Sequence, residues 1–137
     1  MRKIVPKNSL EKYFDEWNIV KCTLHCLGKI PQISEGEIYW CGIGENIGVE
    51  INGKNAAFSR PILIFRKLSR FGFVGIPLTS KEYNGSWYVS FEFKGRHETA
   101  ILAQVRNFSV FRLYDKMGRI AENDMAKIRQ AFIELYK

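Results

Sequence analysis

The sequence predicts a mainly β protein, built as a small barrel or a strongly curved sheet with an α-helix at each end. Between residues 35 and 113 apolar and polar side chains tend to alternate, and turn residues interrupt them often. Near both ends of the chain, apolar residues instead recur at steps of three and four. A length of 137 residues supports one compact domain with a substantial core.

The N-terminal helix is predicted to begin after Ser9, a suitable N-cap residue, and to end at Gly28, shortly before Pro31. Its apolar stripe consists of Leu10, Tyr13, Phe14, Trp17, Val20, Leu24 and Leu27. We expect residues 1–35 to form a helical extension that packs on the domain formed by residues 36–137.

The cysteine pattern does not predict a metal site. Cys22 and Cys26 flank His25 on the predicted helix, and only the distant Cys41 is left as a fourth ligand. We therefore expect two small buried thiols and a histidine on the helix surface. An odd number of poorly spaced cysteines indicates reduced thiols rather than a disulfide framework. Without a secretion signal, this favours a cytoplasmic protein.

The first half of the β region contains three predicted strands and one long loop. The segment GEIYW opens the first strand, and a flexible loop follows over residues 42–59. Residues 62–65 and 71–78 form the next two strands. Gly42, Gly44 and Gly48 are too irregularly spaced for a phosphate-binding loop, because Gly42-x-Gly44 lacks the third glycine and the following helix of that motif.

The second half begins at Asn84-Gly85, which predicts a tight hairpin turn. The strand after it is predicted to be half-buried, with a core face formed by Trp87, Val89, Phe91 and Phe93. Residues 99–105 form a largely buried strand. The chain ends in an amphipathic helix over residues 122–136, whose apolar stripe consists of Met125, Ile128, Phe132 and Leu135.

The charge of the chain favours a polyanionic partner. Lysine and arginine outnumber the acidic residues, 21 to 14, and the formal net charge is +7. Nucleic acid and an acidic protein segment both fit this balance. No apolar stretch approaches the roughly 20 residues of a membrane-spanning helix, so no membrane partner is expected.

Ser59-Arg60-Pro61 is the segment that most resembles a binding site for phosphate. Pro61 restricts the backbone of Arg60 to extended conformations and suits the first residue of a strand. The later strand ends in Thr79-Ser80. An arginine held at the entrance of a strand near these hydroxyl groups indicates a phosphate site.

The chain also resembles the MazF/PemK toxins. The resemblance extends over residues 36–137 and rests on segments that occur in the same order, namely GEIYW (36–40), IGVE (47–50), RPILI (60–64), IPLTS (76–80) and QVR (104–106). It implies an SH3-like barrel, a homodimer, and an endoribonuclease that cleaves single-stranded RNA without a metal or any other cofactor. It also implies inhibition by an antitoxin with an acidic, disordered tail.

The resemblance assigns a catalytic pair to Arg60 and Thr79. The sequence departs from the family pattern at Ile101 and Ala103, where some members have an arginine and a carboxylate. The loop between Glu50 and Arg60 is longer than in many members, and the N-terminal helix is an addition to the minimal domain.

Arginine is suited to neutralising charge on the phosphate oxygens, but its high pKa makes it a poor base. The candidates for the general base are His97 and Glu50, and Glu50 is alternatively a base-recognising residue or a loop carboxylate. Tyr83 is a further stacking candidate, and Arg66, Lys67 and Arg70 add positive charge. The RNA-binding residues predicted beside the catalytic pair are Glu50, Lys54, Phe58, Ser59, Ser80, Lys81 and His97.

Two alternative functions remain open from the sequence. One is a non-enzymatic toxin of the same fold that acts on DNA gyrase, as the CcdB proteins do. The other is an inactive barrel that binds only nucleic acid or an antitoxin, which the substitutions at Ile101 and Ala103 would explain.

Overall fold

A computed structural model describes residues 12–137 as one curled, open β-sheet with two helices. The strands are β1 (Glu37–Gly42), β2 (Ser59–Lys67), β3 (Gly72–Thr79), β4 (Tyr88–Phe93), β5 (Arg96–Ile101), β6 (Arg106–Ser109) and β7 (Leu113–Arg119). The helices are α1 (Phe14–Leu27) and α2 (Glu122–Tyr136), and short 3₁₀ turns occupy Leu102–Gln104 and Val110–Arg112. The mainly β fold predicted from the sequence is confirmed, as a half-barrel rather than a closed one.

The sheet has the strand order β4-β5-β3-β2-β1-β7, with β6 as a second partner of β3, and all of its pairings are antiparallel. The first half of β3 pairs with β6, whereas Leu78 and Thr79 at its end pair with β5. Pro77 lies between the segment of β3 that pairs with β6 and the segment that pairs with β5. On that edge of β3, position 77 has no paired residue in a neighbouring strand, which suits a proline because it has no N–H to donate. This change of partner curls the sheet and brings the end of β3 against β5.

Helix α2 covers one face of the sheet, as its sequence pattern predicts. Met125 and Ile128 are buried against the core cluster that contains Leu63, Ile76 and Leu78. The ring of Phe132 also packs between two aromatic neighbours, Phe65 and Tyr136, with ring centroids 4.8 Å away in each case. The predicted bounds of this helix agree with the structure.

The N-terminal helix is only partly as predicted. Ser9 and Leu10 lie outside the described residues, and the helix begins at Phe14 with no side-chain cap. Within the described part of the chain, Trp17 is the single buried residue of this helix. The predicted stripe is wrong at Phe14 and Leu27, which are exposed. The helix therefore rests on the sheet mainly through one large side chain.

The predicted burial of the helical thiols is wrong. Cys22 and Cys26 are exposed because they lie on the side of α1 that faces away from the sheet. In residues 12–137 no group of three or more histidine, cysteine or acidic residues is placed to hold a metal ion. Neither helix in this part of the chain is long and apolar enough to cross a membrane.

The predicted core is also wrong at Trp87. It precedes the first residue of β4 and is 56% exposed, whereas Phe91 and Phe93 further along that strand are buried. The strand predicted over residues 99–105 also ends early, at Ile101, and continues as a 3₁₀ turn.

Glu98 is a buried carboxyl on the core face of β5, opposite Phe91. Burial raises the pKa of Glu98 above its ordinary value of 4.5, and the charges of Arg96 and His97 partly oppose this shift. The folded state therefore keeps the Glu98 carboxyl protonated at a pH where the unfolded chain has lost that proton. The contribution of Glu98 to the free energy of unfolding is lost as the pH rises through its folded-state pKa.

We predict that the free energy of unfolding of Glu98→Gln increases relative to that of the wild type as the pH is raised above 4.5. Urea unfolding at a series of pH values measures this difference. The control is Glu82→Gln at an exposed position, for which the difference should stay flat with pH. A flat difference for Glu98→Gln as well would refute the assignment.

Candidate active site

Arg60 is fixed at the entrance of β2 by backbone carbonyl groups on both sides of it. Its Nε donates a hydrogen bond to the carbonyl oxygen of Asn52, at 2.9 Å, and its Nη1 donates one to the carbonyl oxygen of Leu78, at 3.4 Å. Burial lowers the pKa of Arg60, although an arginine still remains charged at neutral pH. The guanidinium group is thus held between the 43–58 loop and the end of β3 with N–H groups left to bind a ligand.

Thr79 ends β3 beside this guanidinium group. The β2–β3 register pairs Ile62 with Pro77 and Leu63 with Ile76, and its continuation places Arg60 opposite Thr79. The Thr79 Oγ1 atom accepts a hydrogen bond from the backbone N–H of Lys81, at 3.2 Å, so its own O–H is free to act as a donor. The structure therefore brings the predicted pair together.

A row of polar side chains continues from Thr79 across β5 and β4. Thr99 is opposite Thr79 in the sheet, and its Oγ1 lies 3.2 Å from Ser90 Oγ and 3.1 Å from His97 Nε2. The other ring nitrogen of His97, Nδ1, lies 3.9 Å from Glu92 Oε2. The imidazole is therefore half-buried and hydrogen-bonded on the same face of the sheet as Thr79.

Thr99 and Ser90 were not predicted as site residues from the sequence. Both side chains lie on the same face of the β4–β5 hairpin as His97, but their proximity to Thr79 depends on the pairing of β3 with β5. Once that register is known, these site residues can be recognised as hydroxyl residues that face one another across adjacent strands.

Tyr83 lies near Arg60 and is stacked on Tyr88. The rings of Tyr83 and Tyr88 are 4.9 Å apart and nearly parallel, at 17°. The Tyr83 hydroxyl lies near enough to the guanidinium group for its charged form to raise the pKa of Arg60, against the larger effect of burial. Tyr83 is 42% exposed, so one aromatic face is accessible beside the cation.

Comparison with known proteins identifies the family. Residues 34–136 match the family model described as PemK-like, MazF-like toxin of type II toxin-antitoxin system. The chain belongs to this family. A comparison with curated protein sequences gives no match.

Solved structures with the MazF fold agree with the fold of this chain. MazF from Deinococcus radiodurans is 17% identical, with a TM-score of 0.63 over 78% of this chain and 96% of that one. A mycobacterial endoribonuclease in complex with its cognate antitoxin is 18% identical, with a TM-score of 0.57 over 75% of this chain and 93% of that one. At these identities the likeness concerns the fold alone.

In this PemK/MazF-like domain, Glu50 lies on the 43–58 loop, apart from the polar row. Its carboxylate Oε1 accepts a hydrogen bond from the backbone N–H of Ile47, at 3.0 Å, and the residue is exposed. It lines a groove of about 450 Å³ together with Ala103, Gln104 and Arg106. Among the described residues, Glu50 forms no ion pair with Lys54 or Arg60.

Gln104 holds the loop from the side of this groove. Its Oε1 accepts from the backbone N–H of Ile51, at 3.0 Å, and its Nε2 donates to the carbonyl oxygen of Val49, at 3.1 Å. The glutamine of the QVR segment is therefore a loop-supporting residue, a role that the sequence did not predict.

The prediction that Phe58 stacks on RNA is wrong. The ring is 4% exposed and packs against Trp17, with centroids 5.7 Å apart, because the backbone turns it inward at a φ of 50°. Ser59 is likewise buried, and its backbone N–H and C=O are both hydrogen-bonded to Lys54. Ser59 is therefore not accessible for the predicted contact with RNA. Lys54 itself is exposed on the loop.

The remaining predicted residues divide between the end of β3 and the substituted positions. Ser80 and Lys81 are exposed directly after Thr79. Ile101 is buried at the end of β5, and Ala103 is exposed at the groove. Neither of these two side chains carries a charge.

Proposed function

We propose that this toxin is an endoribonuclease that cleaves single-stranded RNA, such as mRNA, at specific sequences without a metal ion or other cofactor. The observation that carries the proposal is the Arg60 guanidinium group, which is held beside Thr79 by hydrogen bonds to Asn52 and Leu78. A pre-oriented cation in a partly buried site is well suited to stabilise charge that develops on a phosphate.

In the proposed reaction the ribose 2′-oxygen attacks the adjacent phosphorus atom and forms a cyclic phosphate. The bond from phosphorus to the 5′-oxygen breaks, and that oxygen takes a proton from solvent. Arg60 contacts the non-bridging phosphate oxygens with the N–H groups that its two carbonyl partners leave free. Thr79 donates its O–H to the same phosphate, since its oxygen already accepts from Lys81.

His97 is the base that the geometry supports better than Glu50. It lies on the face of the sheet that presents Thr79, and Thr99 joins it to the polar row. Glu50 instead caps a loop N–H and lines the other groove. In the proposal His97 takes the proton of the 2′-hydroxyl group, directly or through Thr99.

We predict that His97→Gln lowers kcat about 10²-fold or more and removes the acidic limb of the pH–rate profile. Glu50→Gln is the matched comparison, and we expect it to retain the pH profile and a kcat within about threefold of the wild type. The measurement is the initial rate on an RNA oligonucleotide across pH. An unchanged pH profile for His97→Gln would exclude this residue as the base.

Tyr83 is proposed to stack on a nucleobase beside the scissile phosphate. Its exposed ring lies next to the cation, and stacking on Tyr88 holds its orientation. Base–aromatic stacking contributes about 1–3 kcal/mol, so Tyr83→Ala should raise KM about 5- to 150-fold. Tyr83→Phe keeps the ring and should stay near the wild-type KM. Equal KM values for all three proteins would contradict a stacking role.

The proposed partners follow from the charge and the family. We propose that an antitoxin with an acidic tail inhibits this cytoplasmic toxin, and that the toxin acts as a homodimer. The net charge of +7 favours such a tail, and the D. radiodurans structures include a MazE–MazF complex. We also propose that residues 1–35 extend the domain formed by residues 36–137, which the burial of Trp17 supports.

Incubation of the purified, antitoxin-free protein with long RNA in the presence of a chelator tests the proposed activity. We expect fragments of discrete length. Intact RNA would overturn the proposal and favour the second candidate, a non-catalytic barrel that binds nucleic acid or an antitoxin. Ile101 and Ala103, which replace a charged pair, are the observation behind that second candidate.

A further inference from the structure

Helix α1 lies outside the residues that match the family model, yet it contacts the 43–58 loop at several points. The Glu45 carboxylate accepts a hydrogen bond from the backbone N–H of Tyr13, at 2.8 Å. Just before the helix, Lys12 Nζ donates to the carbonyl oxygens of Asn46 and Gly48. These contacts join the start of the helix to the first half of the loop.

Trp17 of α1 packs directly over Gly44 of the loop. The indole ring occupies the space where a side chain at position 44 would lie, since a Cβ built there would be 2.4 Å from the ring. The φ of Gly44 is +95°, which also favours glycine. On its other side the Trp17 ring packs against Phe58, near the end of the same loop. One buried side chain therefore touches both arms of the loop.

Inside the loop, hydrogen bonds connect these two arms to Arg60. The backbone N–H of Gly53 donates to the carbonyl oxygen of Gly44, at 2.7 Å. The backbone N–H of Asn46 donates to the Asn52 side chain, at 2.6 Å. The carbonyl oxygen of Asn52 then accepts from Arg60 Nε, at 2.9 Å. A continuous set of contacts thus leads from α1 to the guanidinium group.

We propose that Trp17 is a positioning residue for Arg60, and that α1 is the element that keeps the long 43–58 loop in the conformation the reaction needs. Trp17 does not touch RNA in this proposal. It fixes Gly44 and Phe58, and through them the carbonyl group that orients the guanidinium group. The role of Trp17 in the reaction rests on the proposed ribonuclease activity, whereas its role in ordering the 43–58 loop does not.

The physical reason is the length of the loop. A loop without the helix samples many conformations, and each cleavage event must then wait for the one in which Asn52 orients Arg60. A charge displaced by about 1 Å from its productive position can reduce a rate about 10²-fold. Electrostatic attraction of RNA depends far less on such a displacement. The expected signature is a loss in kcat with a nearly constant KM.

The test measures amide hydrogen exchange and RNA cleavage in the same variants of the full chain. For Trp17→Ala we expect the Gly53 amide to exchange at least about tenfold faster, while the Ile64 and Ile76 amides in β2 and β3 keep their protection. We expect kcat to fall about 10- to 100-fold with KM within about threefold. Trp17→Phe should restore part of both quantities.

The matched control is Leu27→Ala, which removes an exposed apolar side chain from the same helix and should change neither quantity. If Trp17→Ala fails to fold, Glu45→Ala removes the carboxylate that receives the Tyr13 N–H, and it should show a smaller change in the same direction. Unchanged Gly53 exchange in Trp17→Ala would overturn the proposal, as would unchanged kcat in a protein with faster exchange. If the wild type does not cleave RNA, the ribonuclease assignment fails, and the exchange result alone decides the role of the helix.

Discussion

Replacing Arg60 with alanine is expected to lower kcat for RNA cleavage by about two to three orders of magnitude. The guanidinium group is held in place by a carbonyl group of the 43–58 loop and another at the end of β3. Its loss removes the charge that stabilises the phosphate oxygens in the transition state. Initial rates on a single-stranded RNA oligonucleotide, over a range of substrate concentrations, measure kcat and KM separately.

Two variants serve as controls for this prediction. Arg60→Lys keeps the positive charge but loses the planar guanidinium group, and we expect it to recover only a small part of the rate. Arg70→Ala removes an arginine from the exposed turn between β2 and β3 and should leave kcat within about twofold of the wild type. An Arg60→Ala protein with near-wild-type kcat would show that the charge acts elsewhere.

Replacing Phe73 with alanine is expected to lower the free energy of unfolding by about 3–5 kcal/mol. Phe73 is fully buried in the first half of β3, in the core cluster that contains Ile62, Ile64 and Phe108. Its ring is stacked on that of Phe108, with centroids 5.7 Å apart. Truncation removes apolar contact area and leaves a cavity in the core that supports β3.

The matched control is two residues earlier in the chain. Phe71 precedes β3 and is 51% exposed, so Phe71→Ala should cost no more than about 1 kcal/mol. Urea unfolding of the two variants and the wild type gives the comparison. Equal destabilisation by the two substitutions would contradict the placement of these rings.

The central pair of the site was predictable because local rules determine each member. Pro61 fixes an extended backbone at Arg60, and the apolar residues that follow predict a strand beginning there. Thr79 similarly ends an apolar segment. The resemblance to a family then assigns the two to one site, and the structure brings them together. The C-terminal helix was predictable for a similar reason, since its stripe of apolar residues is continuous.

The errors arose where a distant segment decides which side chains are covered. Phe58 lies in a polar loop, and nothing near it in the sequence indicates that Trp17 packs on its ring. Cys22 and Cys26 are apolar enough for a buried face, but only one side of α1 meets the sheet. Trp87 fits the alternation of β4 and yet precedes the strand.

The polar row from Thr79 to His97 also required the structure. Within the hairpin, the pairing of Ser90 with Thr99 follows from the β4–β5 register. Their position beside Thr79 depends on the change of partner along β3, from β6 to β5. A sequence pattern of period two gives the face of each strand but not the neighbour of that strand.

The most direct test of the proposed activity is the chemistry of the new RNA ends. Cleavage in the presence of a chelator should give a 2′,3′-cyclic phosphate on one fragment and a free 5′-hydroxyl group on the other, because the 2′-oxygen is the proposed nucleophile. An oligonucleotide with deoxyribose at the cleaved position should remain intact. Fragments that carry a 5′-phosphate and a 3′-hydroxyl group, or cleavage of the deoxyribose substrate, would contradict the mechanism.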